Sequence, residues 1–213
     1  MPTRIGLISD LHAAVAPLRE ALSIFQQHEV DLILCPGDVV GYGEEGAETI
    51  ELLRGSHCQT ILGNHEIWYL EEIGPDADDQ ITKYLRELPS MLQFNIEDKS
   101  VYMVHASPPE SYMDGIKLLD ENGELILEEK KYWAEQLTNF DHDILIVGHT
   151  HQVFAEQLAN TFVVNPGSTK FNHTCAILEL PGLEFEVFPL SGKTPVKSWN
   201  WGQYFAQQNN GKE

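Results

Sequence analysis

The chain has 213 residues, 42% of them hydrophobic, with 33 Asp and Glu against 13 Lys and Arg and a formal charge of −20. That length supports one sizeable core, so a single domain is expected, and the charge works against nucleic-acid polymers and anionic membranes as partners, since no Lys/Arg cluster is present to displace counterions from phosphates. The cysteines Cys35, Cys58 and Cys175 form no CxxC pair, the opening MPTRIGLISDLH lacks the apolar core of a signal peptide, and no run approaches the ~20 apolar residues that span a bilayer, so the sequence predicts a cytoplasmic protein.

Short apolar runs alternate with amphipathic stretches along the first two thirds of the chain. Residues 4–8 (RIGLI) predict a buried strand that runs into Ser9-Asp10-Leu11-His12. Leu18, Leu22 and Phe25 then give a helical stripe over 15–28. Strand 31–35 runs into Pro36-Gly37-Asp38, and 45–54 reads as a helix. Strand 58–62 runs into Gly63-Asn64-His65-Glu66, and the next helix, 76–88, is closed by Pro89. Strand 101–104 ends directly on His105. The stretch 107–127 is less regular, and its Glu121-Asn122-Gly123 fits either a hairpin tip or part of a long loop. A helix over 128–139 precedes strand 143–147, which runs into Gly148-His149-Thr150-His151.

Strands dominate from there: 152–157, 161–164, 174–180 and 183–189, with Pro181-Gly182 as the turn between the last two. Trp199 and Trp201 are expected to anchor the C-terminal segment on the core, and 205–213 is expected to fray, leaving a domain over 1–204. Early β/α alternation followed by strands predicts an α/β layered domain with a mixed sheet or two packed sheets.

The chemistry sits where these strands end. Five apolar strands each finish on a residue able to bind a metal: Asp10 and His12, Asp38, Asn64, His105, and His149 and His151. In open α/β sheets ligands bind outside the carboxyl ends of strands, so five parallel strands in one sheet would bring all these loops to one rim. Extended i, i+2 spacing makes Asp10/His12 and His149/His151 two-toothed ligand pairs. The donor set is two carboxylates, one amide oxygen and four imidazoles. It suits Mn, Fe, Zn, Co or Ni better than Ca or Mg, and suffices for two divalent ions if Asp38 bridges them. Such a pair cleaves phosphate esters by acidifying water, orienting the phosphoryl group and neutralising charge. His65, beside the ligand Asn64 and not needed as a ligand itself, is the expected general acid for the leaving oxygen. The remaining histidines, His28, His57, His142 and His173, carry no such pattern.

In this order, Asp10-x-His12, Gly37-Asp38, Gly63-Asn64-His65-Glu66, His105 and Gly148-His149-x-His151 resemble the signature of the calcineurin-like metallophosphoesterases, over residues 4 to about 168. The resemblance implies two mixed β-sheets packed as a sandwich with flanking helices, a four-layer αββα fold. It implies that Asp10, His12, Asp38 and His151 hold one metal and that Asp38, Asn64, His105 and His149 hold the other, with manganese as the first candidate. A metal-bound hydroxide would attack phosphorus in line while His65 protonates the leaving group. The Asn165-Pro166-Gly167-Ser168 loop resembles a stretch near the site in small bacterial and archaeal phosphodiesterases of this kind.

Three positions depart from the protein phosphatases of the superfamily, which read GDxxDRG and RGNHE. Here Gly41 stands for the aspartate that orients the histidine, Tyr42 for a phosphate-binding arginine, and Leu62 for another arginine. Without those clamps a small phosphodiester is the preferred substrate, because it carries one charge fewer than a monoester dianion. The alternatives are a phosphomonoesterase acting on a nucleotide, sugar phosphate or phosphoprotein, and a non-catalytic scaffold of the retromer-subunit type. The only arginines that could fold into the site are Arg4, Arg19, Arg54 and Arg86. The sequence leaves the oligomeric state open, a homo-oligomer included.

Overall fold

A computed structural model describes residues 2–201 of the chain, so the tail expected to fray, 205–213, lies outside the described residues. The first sheet is built from β1 (Thr3–Leu7), β2 (Leu32–Cys35), β3 (Gln59–Thr60), β9 (Thr174–Leu180) and β10 (Glu184–Pro189), in the order β10-β9-β1-β2-β3. The second holds β4 (Met91–Ile96), β5 (Lys99–Val104), β6 (Ile144–Ile146), β7 (Val153–Leu158) and β8 (Thr161–Pro166), in the order β4-β5-β6-β8-β7. Each sheet is mixed. Strands β1, β2 and β3 run parallel in the first, and β5, β6 and β8 run parallel in the second. Antiparallel pairing adds β9 and then β10 to one edge of the first triplet, and β4 and β7 to the two edges of the second.

Three apolar clusters join four layers. Alternation along each strand decides which cluster a residue enters. Ile5, Leu7 and Leu34 of the first sheet meet Val101, Met103, Ile144 and Ile146 of the second in the space between the sheets. On the outer face of the first sheet, Ile8 and Cys35 pack against Leu18 and Phe25 of α1 (Val15–Gln27), Ile50 and Leu53 of α2 (Gly46–Gly55), and Leu85 of α4 (Gln80–Glu87). On the outer face of the second, Tyr102, Val104, Leu145 and Val147 pack against Leu137, with Trp133 of α5 (Leu127–Gln136) beside them. This is the expected αββα sandwich.

Two features differ from the sequence reading. The five strands that end on metal-binding residues do not share one sheet: β1, β2 and β3 belong to the first, β5 and β6 to the second. Stacking two sheets buries both faces of the central strands, one against the other sheet and one against the helices, which one open sheet with so few helices could not do. The segment after Gly63 also forms a helix, α3 (Asn64–Ile73), and β4 pairs with β5 as an antiparallel hairpin. In the irregular stretch, a Leu119–Leu125 bridge closes a tight turn over Asp120–Gly123, so the hairpin tip is the form adopted.

Ile146 is fully buried between the sheets. Ile146→Ala is expected to lower unfolding free energy by about 2–5 kcal/mol, the usual cost of deleting a large aliphatic side chain from a core. Urea denaturation followed by circular dichroism measures this.

Candidate metal centre

Backbone bonds close the rim where the carboxyl ends of the two parallel triplets meet. Ser9 bridges to Ser168 after β8, with Thr169 N donating to Ser9 O at 3.1 Å. Ser168 Oγ donates to Asp10 O at 2.6 Å. Gly148 N donates to His105 O at 2.8 Å, and Asp10 N to Gly37 O at 3.1 Å. The loop that resembled a site-proximal stretch, Asn165 to Ser168, is therefore part of the seam.

The ligand-bearing loops are not extended. Asp10, His12, Asp38, His149 and His151 have φ of 50°, 47°, 54°, 65° and 48°, the left-handed region that non-glycine residues rarely adopt. Such strain persists where the surroundings over-determine it, commonly at functional sites. It also corrects the simple i, i+2 picture. Asp10 and His12 do face one cluster together, with His151, whereas His149 joins Asp38 and His105 in another. The pair His149/His151 therefore divides between the clusters.

All seven expected ligands come together. His12 Nε2 lies 3.1 Å from His151 Nε2, and His151 Nε2 lies 3.3 Å from Asp10 Oδ1. Asn64 Oδ1 lies 3.0 Å from His105 Nε2 and 2.9 Å from His149 Nδ1, and His105 Nε2 is 3.4 Å from Asp38 Oδ1. Asp10, His12 and His105 are fully buried, and Asp38, Asn64 and His151 nearly so. His105 Nδ1 donates to Pro36 O at 2.6 Å, which fixes the ring and turns Nε2 inward. His12 Nδ1 faces Val40 O at 3.3 Å, with the same consequence.

The electrostatics fit a cation. Burial drives the His12 pKa down to about 3 and the His149 pKa to about 4, so both imidazoles are neutral with lone pairs available. Burial opposes ionisation of Asp10, but His151, His105 and His12 outweigh it and hold the carboxyl below the usual range. Burial likewise disfavours a charged His105, yet Asp38 lifts it to about 9, so a proton there occupies the role a metal would take. Asp38 is lowered by His105 against the burial that raises it. Two ionised carboxylates and several neutral imidazoles converge on one buried space, and a divalent cation suits that donor set.

His65 sits at the edge of the clusters. Its backbone N–H donates to Asp38 Oδ1 at 3.0 Å, and its ring reaches a third group with His12 and Asp38. Gly41, where the resemblance places an orienting aspartate, makes room for that ring. A Cβ at Gly41, whose φ is +88°, would lie 2.2 Å from His65 Nδ1. The ring is instead flanked by Tyr42 at 4.6 Å and Trp68 at 4.9 Å between centroids. None of the four arginines reaches the clusters. Arg4 pairs with Glu179 and Arg19 with Glu48, Arg54 approaches Glu87 and covers the Tyr84 ring, and Arg86 caps the carbonyls of Gly74, Pro75 and Ala77.

Glu66 has a role that its place in a first helical turn did not reveal. Fully buried, it accepts from Asp38 N at 2.8 Å, Gly63 N at 2.8 Å and Val40 N at 2.9 Å, tying the Asp38 loop to the Asn64 loop. Burial and Asp38 push its carboxyl up to about 7, while the backbone donors pull the other way. Its place in the Gly63-Asn64-His65-Glu66 motif was the sequence signal, but the motif does not say which groups it would hold. Beyond His149 a groove of about 1140 Å³ opens, lined by Pro108, Met113, Gly115, Tyr132, Trp133 and Phe140 among others. No described helix is long and apolar enough to cross a membrane.

The family model of the calcineurin-like phosphoesterase superfamily domain matches residues 3–181. An uncharacterised protein from Methanocaldococcus jannaschii is 26% identical over 194 residues, covering 84% of this chain and 74% of that protein. Serine/threonine-protein phosphatase 2 of Salmonella typhimurium is 22% identical over 77% of this chain and 87% of its own. A metallophosphoesterase structure from Sphaerobacter thermophilus superposes with a TM-score of 0.64 at 22% identity, over 98% of this chain and 94% of the other.

Glu66→Gln leaves one oxygen to serve three N–H groups and turns an NH2 against a backbone donor. It is expected to cost about 1–3 kcal/mol in unfolding free energy. Metal content per chain should also fall as the two loops loosen, which denaturation and elemental analysis read separately.

Proposed function

The chain belongs to the calcineurin-like phosphoesterase superfamily, and from that membership we propose that it is a phosphodiesterase acting on small diesters with two divalent transition-metal ions at the sheet rim. Asp10, His12, Asp38 and His151 would hold one ion and Asp38, Asn64, His105 and His149 the other. The two clusters Asp10–His12–His151 and Asp38–His105–His149 support that division. Manganese is the first candidate, with Fe, Zn, Co and Ni suited to the same donors. Bound there, such ions supply positive charge to the phosphoryl oxygens and a nucleophile at neutral pH.

The chain's own residues do the rest. Asn64 and Asp38 set the position of His65, the one through its place in α3 and the other by accepting the His65 N–H. His65 donates a proton to the leaving-group oxygen as its bond to phosphorus breaks and the oxygen of water takes its place. Its ring is half-buried, so it can reload its proton from solvent. Burial lowers its pKa, which makes its protonated form a better donor.

Preference for a diester rests on the arginines. All four are committed elsewhere, so no guanidinium fork meets the second charge of a monoester dianion. A phosphomonoesterase is the second reading, and Lys170 favours it: its Nζ donates to His12 O at 3.2 Å and so brings a cation to the rim. A scaffold role like that of the retromer subunit is disfavoured by the complete donor set and by His65.

The test is a panel of nitrophenyl diesters and monoesters with Mn, Ni, Co, Zn and Mg, run alongside elemental analysis. Diester turnover with two metals per chain is expected; good monoester turnover with none on diesters overturns the reading. His65→Ala is expected to lose about 10²–10⁴-fold in turnover with metal content unchanged. Because the protonated ring is the active form, wild-type turnover on poor leaving groups should fall as pH rises through the His65 pKa, and the variant should lack that limb. Full turnover by the variant would refute the acid role.

A further inference from the structure

The segment after β10 returns to the metal centre. Val196 N donates to Asn172 O at 3.0 Å, Val153 N to Lys197 O at 2.8 Å, and Trp199 N to His151 O at 3.0 Å. Ser198 bridges to Gln152, whose Nε2 also reaches Ser198 Oγ at 3.3 Å. This strap sets Trp201 beside the Phe171 ring at 5.0 Å, the Tyr42 ring at 5.2 Å and the His151 ring at 6.0 Å. It lies beyond residue 181, where the family match ends.

Tyr42 continues that wall to the acid. Its ring lies 4.8 Å from His12 and 4.6 Å from His65, and the Trp68 ring lies 4.9 Å from His65. Tyr42 and Trp68 are 59% and 48% exposed, so broad ring faces stand open at the mouth of a buried polar site. A general acid must lie within about 3 Å of the oxygen it protonates. The group carried by that oxygen is then held within a bond or two of these rings. Aromatic faces attract planar aromatic groups, and their negative quadrupole offers nothing to an anionic one.

We infer, on the phosphodiesterase reading above, that Tyr42, Trp68 and the strap residue Trp201 form a platform selecting a leaving alcohol that carries a planar, uncharged aromatic ring, either the base of a nucleoside or a simple aryl group. The −20 charge of the chain acts in the same direction, because a leaving group bearing further phosphates would meet repulsion without a compensating arginine.

Dibenzyl and dibutyl phosphate release alcohols of similar acidity, so the ratio of their kcat/KM values reads shape rather than reactivity. The wild-type ratio is expected to favour dibenzyl phosphate by about tenfold or more, the scale of one aromatic stack. Trp201→Ala, Tyr42→Ala and Trp68→Ala should each reduce it severalfold, and Trp201→Phe should keep most of it. Tyr132→Ala, in the groove on the far side of His149 from the platform, should leave it unchanged. Tryptophan fluorescence titration of the metal-loaded protein with dibenzyl phosphate should show binding weakened by about tenfold in Trp201→Ala. A dinucleoside monophosphate as third substrate assigns the source: equal sensitivity to the variants marks a nucleoside base, and sensitivity confined to dibenzyl phosphate marks a simple aryl group. A wild-type ratio near one, equal losses on both diesters, or a ratio moved only by Tyr132→Ala overturns the inference. Benzyl and butyl monophosphate carry the same comparison, so a chain that cleaves monoesters alone would overturn the diester reading while the platform is still tested.

Discussion

Two carboxylates, an amide oxygen and four imidazoles bury their lone pairs against one another where two sheets meet, and this convergence constrains the rest of the molecule. Such a set is unfavourable without a positive charge at its centre. Protonation of His105, lifted to about 9 by Asp38, meets part of that need. The neutral state imposed on His12 and His149 by burial keeps the remaining nitrogens available as donors. Metal affinity and fold are thus coupled through the same groups. Left-handed backbone at five of the seven residues is part of the same arrangement, held by the hydrogen bonds that stitch the sheet ends together.

Glu66 and Ser168 show how the strain is held. Glu66 grips three backbone N–H groups from the two loops that flank Asp38 and Asn64. Ser168, from the second sheet, grips the Asp10 carbonyl in the first. Both act on the backbone beneath the ligands rather than on the ligand atoms. A loop at this rim can therefore vary in its outward residues without disturbing the inward ones. Gly41 and Tyr42 are an instance: relative to the protein phosphatase pattern they replace charge with space and a ring, and His65 occupies the space against the ring.

Much of the fold was legible because burial imposes regular periods. Apolar runs located the strands, and the stripe of Leu18, Leu22 and Phe25 located α1. What escaped was weakly patterned. α3 buries only Asn64 and Glu66, polar residues that give no apolar stripe. β4 is the exception, since Leu92, Phe94 and Ile96 alternate with Gln93 and Asn95 and pack into the inter-sheet cluster, so its strand period was present in the sequence.

The sequence by itself determined the identity of the donors, their order, and their position at strand ends, because residue type fixes ligand chemistry and each apolar run fixes where a strand must stop. It also determined that Tyr42 and Leu62 stand where the protein phosphatase pattern has arginines. Tertiary structure decided how those donors are shared. Division of the strands between two sheets, and of His149 and His151 between the clusters, depends on packing between residues far apart in the chain. So do the engagement of all four arginines elsewhere and the return of Trp201 to the mouth of the site. No local period encodes such contacts, since they arise only when separate apolar faces and backbone edges find one another in the folded chain.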